Sequence, residues 1–172
     1  MKKLAVLAGL AFALALVSAQ VASAESFDLT PGVFPEEEFA ALSSNGQRFA
    51  VGGGTLAVRG TNFAFSAHLD PNGPAGYAVV KDPTDGEAQG HVCPAGMIFL
   101  PGSVAQFWIR VEKGTGTLGL FPFLQFTAAD NGGEPPTGVV ADSLVVQGAS
   151  ACTFPGTFGF GAPVDQGNII VN

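Results

Sequence analysis

Val104-Ala105-Gln106-Phe107-Trp108-Ile109-Arg110-Val111-Glu112-Lys113 alternates without a slip. Ala105, Phe107, Ile109 and Val111 fall on one side, and Gln106, Trp108, Arg110 and Glu112 on the other. A period of two over this length marks a half-buried strand and argues against a helix. The same pattern runs from Thr61 to Asp70, with Phe63, Phe65, Ala67 and Leu69 opposite Asn62, Ser66, His68 and Asp70. Further strands are expected at residues 55–59, 76–81, 88–93, 97–100, 121–128, 142–147, 157–160 and 168–171. Between them lie turn clusters: Gly52-Gly53-Gly54, Asp70-Pro71-Asn72-Gly73-Pro74, Asp82-Pro83-Thr84-Asp85-Gly86 and Asp130-Asn131-Gly132-Gly133-Glu134-Pro135-Pro136. Each supplies a positive-φ position or a fixed φ where the chain reverses.

Many short strands with no helical spacer make an all-β, antiparallel domain, either a β-sandwich or a flattened barrel of about 8–10 strands. The expected core is Phe63, Phe65, Leu69, Phe107, Ile109, Val111, Leu124, Phe126, Leu144 and Val146. One helical turn or two is expected over residues 35–42, where Pro35 precedes Glu36-Glu37-Glu38 and Ser43-Ser44-Asn45-Gly46 makes a stop.

With 172 residues the chain suits one domain. Its 47% hydrophobic content excludes a disordered, charge-rich tail. Fourteen acidic residues against seven basic ones exclude a nucleic-acid binder that neutralises phosphates.

Residues 1–24 read as an export signal: Lys2 and Lys3, an uncharged run over 4–17, then the small-x-small Ala22-Ser23-Ala24 before Glu25. A cut after Ala19 is the second choice, and an uncleaved anchor is disfavoured by the shortness of the apolar run. Cleavage leaves an acidic arm at 25–47 and a single β domain at 48–172. Removing Lys2 and Lys3 leaves five basic against fourteen acidic residues, a net charge of −9. The expected location is secreted, extracellular or periplasmic, with no integral membrane segment after cleavage.

Gly73-Pro74-Ala75-Gly76-Tyr77, Gly90-His91-Val92-Cys93, Asp130-Asn131-Gly132-Gly133-Glu134-Pro135, Asp142-Ser143-Leu144 and Gly167-Asn168-Ile169-Ile170-Val171 follow one another in a familiar order. Together they resemble small secreted bacterial β domains of the post-COAP type, over roughly residues 48–172. The resemblance implies an exported β domain and carries over no catalytic residue. Gly133, the Pro135-Pro136 pair and Gly102-Ser103 depart from the pattern.

Candidate chemistry is sparse. His68 and Asp70 stand on adjacent outward positions, but no serine lies in a Gly-x-Ser-x-Gly elbow, so no catalytic residue is assigned. His91, Cys93 and Met97 offer soft-metal atoms at a spacing unlike that of a copper site. Cys93 and Cys152, the only two cysteines of an exported chain, are expected to form a disulfide. The Asp-rich turns suit calcium chemically, yet Asp/Asn-Gly is also what β-turns are made of. No cofactor is therefore assigned, with calcium as the alternative. Trp108, with Gln106 and Arg110, is the candidate ligand-binding surface, since an outward aromatic beside planar polar groups stacks sugars or peptides. The functional expectation is a non-catalytic secreted module that binds an extracellular protein or glycan or builds an envelope structure. The alternative is a small-ligand carrier with a Phe-lined barrel cavity.

Overall fold

A computed structural model describes residues 29–132, 141–152 and 161–172. The expected signal at 1–24, the strand at 157–160 and the Glu134-Pro135-Pro136 part of the third acidic turn lie outside the described residues.

The strands are β1 (Phe49–Leu56), β2 (Asn62–Asp70), β3 (Gly73–Asp82), β4 (Gly86–Leu100), β5 (Val104–Arg110), β6 (Lys113–Gly114), β7 (Phe123–Ala129), β8 (Ser143–Ala149) and β9 (Ala162–Val171). Among the described residues a 3-10 turn spans Leu118–Leu120, and one helix, α1, spans Glu36–Ser44. Every pairing is antiparallel. Eight strands follow one another around a ring in chain order, β9 pairs with β1, and β3 pairs with β4. The fold is therefore a closed up-and-down barrel, with the two-residue β6 added outside the ring on β4. Closure removes the edges that a sandwich would have to protect.

The alternation read in the sequence sets the two faces. Phe63, Phe65, Ala67, Ala105, Phe107, Ile109, Leu124, Phe126 and Leu144 are buried in one interior cluster. Leu69, Val111 and Val146 pack against it from partly exposed positions. Phe107 and Phe126 stack with centroids 5.0 Å apart, and Phe65 leans on Phe107 at 5.2 Å. Phe63 lies 6.0 Å from Phe65, so four rings plug the middle of the barrel.

Three local readings change. Gly52-Gly53-Gly54 is the middle of β1, not a turn. Its glycines answer to close approach: a Cβ on Gly53 would lie 2.0 Å from the Val33 carbonyl oxygen, and one on Gly52 would meet the Phe65 ring at 2.7 Å. The chain at Val33 and Phe34 thus lies against the outside of β1. There Leu42 and Phe39 of α1, with Phe34 just before it, cover Phe49 and Val51. The strand expected at 55–59 ends at Leu56, because Arg59 and Gly60 both turn into positive φ. The strands expected at 88–93 and 97–100 are one strand, β4. Its register on β5 jumps between Val92 and Met97, where Pro94 sits in the bulge.

β9 shows how the ring is sealed. It pairs with β1 from Leu56 to Ala50 but with β8 only at Ser143 and Leu144. Beyond that point two carboxylates replace the missing ladder. Asp142 accepts from the backbone N–H of Ile169 at 2.8 Å and of Asn131 at 2.9 Å. Asp130 accepts from the N–H of Val171 at 3.2 Å and of Gly132 at 2.9 Å. Asp142 is buried, so its charge-assisted bonds satisfy donors that water cannot reach.

Candidate functional site

The expected surface around Trp108 needs correction. Gln106 and Trp108 do point out of the barrel, opposite Thr127 and Gln125 of β7. Each is nevertheless 1% exposed, and only Arg110 of the three is open to solvent. The physical reason is a strap. Cys93 and Cys152 stand at disulfide distance, with Cα atoms 6.1 Å apart. Cys93 lies in the β4 bulge and Cys152 three residues beyond β8, while β5 and β7 lie between those strands. The bond therefore draws the chain over the outer face that holds Trp108. A Cβ on Gly96 would come within 2.8 Å of the Cys93 Cβ and 3.3 Å of the Trp108 Cβ. The polar row beneath is bonded within itself: Gln106 Nε2 donates to Thr127 Oγ1 and Gln147 Nε2 to Gln125 Oε1, both at 3.0 Å.

The other candidates separate. Met97 packs in the interior, Cys93 pairs with Cys152, and His91 lies on the surface with its Nδ1 2.9 Å from Glu112 Oε1. Tyr77 meets His91 edge-on, and burial, then the charges of Glu112 and Glu87, push its phenol above the usual range. His68 Nε2 lies 3.4 Å from Asp70 Oδ2. The outward hydroxyl nearest on its strand, Ser66, donates to Glu38 of α1 instead. Among the described residues no group of three His, Cys, Asp or Glu side chains converges as a metal site.

The Asp82 turn shows why. Asp82 Oδ1 accepts from the N–H groups of Thr84 (2.8 Å) and Asp85 (2.9 Å), while Oδ2 accepts from the Thr61 hydroxyl. This is an Asx turn with its carboxylate fully engaged. Burial alone would raise the Asp82 pKa. The bonds from Thr61, Asp85 and Thr84, with the Arg59 charge, outweigh it and hold the carboxyl below its usual range. A depressed folded pKa stabilises the fold above the unfolded value, near pH 4, and that contribution is lost as the pH falls through the lower folded value. Asp82→Asn is therefore expected to lower Tm at pH 7, with the gap to wild type closing below about pH 4. Melting curves across pH 2–7 check this, and a gap independent of pH contradicts it.

Asp82 also belongs to a feature that no local sequence pattern announces. At the end of the barrel formed by the β1–β2 turn, the β3–β4 turn and the 3-10 turn, a cup of about 250 Å³ opens to solvent. Leu56, Val80, Leu118, Leu144, Val146 and Ala162 form its apolar wall, continuous with the core. Val58, Arg59 and Asp85 form its rim, where Arg59 Nη1 meets Asp85 Oδ2 at 2.8 Å. Arg59 holds φ at +69°, a region that costs an ordinary residue about 1–2 kcal/mol. An exposed ion pair contributes about 0–1 kcal/mol, so the pair alone does not account for an arginine there. The signal in the sequence is slight: Val58-Arg59-Gly60 places two large side chains where a turn asks for small ones.

No family model matches the chain, and neither a curated protein nor a solved structure matches it. Among the described residues no helix is long and apolar enough to cross a membrane.

Proposed function

We propose that the chain is an exported, non-catalytic β-barrel module that works by binding a protein or glycan outside the cytoplasm or within the cell envelope. The observation that carries this reading is the plugged interior. Four phenylalanine rings occupy the space that a carrier would keep for cargo, and the open recess lies at the mouth. The Cys93–Cys152 pair suits an oxidising compartment. The diversion of Ser66 to Glu38 speaks against a nucleophile beside His68.

The resemblance to post-COAP type domains belongs to the same proposal. Two residues of its turn motifs, Asp130 and Asp142, serve in this chain as backbone acceptors that seal β9 and bring no chemistry with them. The carrier reading keeps one observation in its favour, the cup itself. At about 250 Å³ it falls below the roughly 300 Å³ at which ligand cavities begin, and among the described residues Leu, Val and Ala form its apolar lining.

Native and intact mass spectrometry of the exported fraction tests the proposal. The expected result is a chain beginning at Glu25, oxidised at both cysteines and free of small molecules. A co-purifying apolar ligand would favour the carrier, and a full-length product retained in the membrane would overturn export.

A further inference from the structure

Resting on that reading, we propose that the barrel mouth docks an extended segment of a partner polypeptide. The segment seats one aliphatic side chain in the cup and sets a neighbouring lysine or arginine against Asp85. Three independent features point to this occupant.

The first is apolar surface beyond the cup. Val58 is 54% exposed, Leu120 81% and Phe121 37%, three of the four large hydrophobic residues exposed among the described residues. Val58 stands on the rim, and Leu120 shares its 3-10 turn with Leu118 of the cup wall. Phe121 follows at once and lies against Gly148 of β8, where an added Cβ would meet its ring at 2.3 Å. A small molecule filling about 250 Å³ leaves Leu120 and Phe121 in water, whereas a chain laid across the mouth covers them. An aliphatic anchor suits the walls, which among the described residues are aliphatic and not aromatic.

The second feature is charge. The cup is lined by two acids, Asp82 and Asp85, against one base, Arg59, and the whole chain carries −7. Asp82 is engaged by its own turn, and Asp85, one-third exposed at the rim, shares the single base Arg59, so the cup keeps a net negative charge. A basic residue in the partner meets this surplus, and the net charge steers such a segment in. A second copy of this acidic chain is repelled by the same field.

The third is Arg59. Backbone strain of this kind persists where the side chain is needed, and the inference runs from the observed φ to the use. The Arg59 side chain is 59% exposed, and the donors of its fork not turned to Asp85 present to a main-chain carbonyl crossing the rim.

The test is a selection of random dodecapeptides on phage against the protein as exported from expression of the whole sequence. Selected peptides are then titrated by fluorescence anisotropy. The expected consensus is Leu, Ile or Val beside Lys or Arg. Val58→Asp and Leu120→Asp, at exposed positions, should melt as wild type does and bind such a peptide at least about tenfold more weakly, the factor expected when an interface anchor is lost. Arg59→Gly relieves the positive φ, so it should melt no lower than wild type and still bind several-fold more weakly.

The proposal is overturned if no consensus emerges, if the consensus is acidic, or if binding ignores Val58→Asp and Leu120→Asp. It is equally overturned if sedimentation shows a dimer that Leu120→Asp dissolves, or if Arg59→Gly melts lower and binds unchanged. A protein that is not exported defeats the proposed function. Failure of the mouth-dependent peptide defeats only this inference.

Discussion

Phe107→Ala is expected to lower the stability of the barrel by about 3–5 kcal/mol. Phe107 has no exposed surface and sits between two other rings, stacked on Phe126 and tilted against Phe65. Truncation removes its transfer free energy and leaves a void that the neighbours cannot close. They project from β2 and β7, which are held in ladders on both sides around a closed ring. A site that cannot collapse falls in the upper part of the range. Against the ~5–15 kcal/mol typical of a domain, such a loss removes much of the margin. Urea denaturation checks it: the midpoint should fall with the slope unchanged. A loss under about 1 kcal/mol would mean that the ring stack is not the centre of the core.

Phe107 is legible in the sequence because one rule governs it: along a strand that alternates with a period of two, the apolar side faces the core. The rule holds along β2, β5 and β7, and it locates the buried phenylalanines from their spacing alone. It says nothing of what covers the far side, which is why Trp108 and Gln106 read as surface and are buried. A covering strap is a long-range event, and only Cys93 and Cys152 announce it in the sequence.

Glycine misleads for a related reason. Gly52-Gly53-Gly54 has the composition of a turn, but what Gly53 requires is room for the backbone at Val33, in a different part of the chain. Closure into a ring depends on β1 meeting β9, a pairing between the two ends of the barrel sequence that no local pattern encodes. The mouth is least legible of all. Its wall draws on β1, β3, β8, β9 and the 3-10 turn, each contributing one to three aliphatic residues indistinguishable from core.

Replacing Cys93 and Cys152 together by alanine is expected to cost about 4 kcal/mol. The bond closes a loop of 59 residues, and the chain-entropy relation gives a figure of that size for the restriction it places on the unfolded chain. The effect on the native state is as informative as the number. The bond does not brace neighbouring strands: β4 and β8 are separated by β5 and β7, whose ladders stand without it. What it fixes is the chain drawn over the outer face of those two strands. Trp108 is the only tryptophan and is 1% exposed beneath that crossing.

Removing the bond should therefore shift tryptophan emission to the red in the still-folded protein, before any denaturant is added. Phe107→Ala, which acts from inside the barrel, should leave the native emission nearly unchanged. The two variants thus lose comparable stability by different routes. One opens a void in the core, and the other frees a strap and widens the unfolded ensemble. Urea curves read with fluorescence and circular dichroism on the same samples separate them. Two free thiols in exported, unreduced protein, or a double variant with wild-type stability and an unmoved emission maximum, would refute the strap.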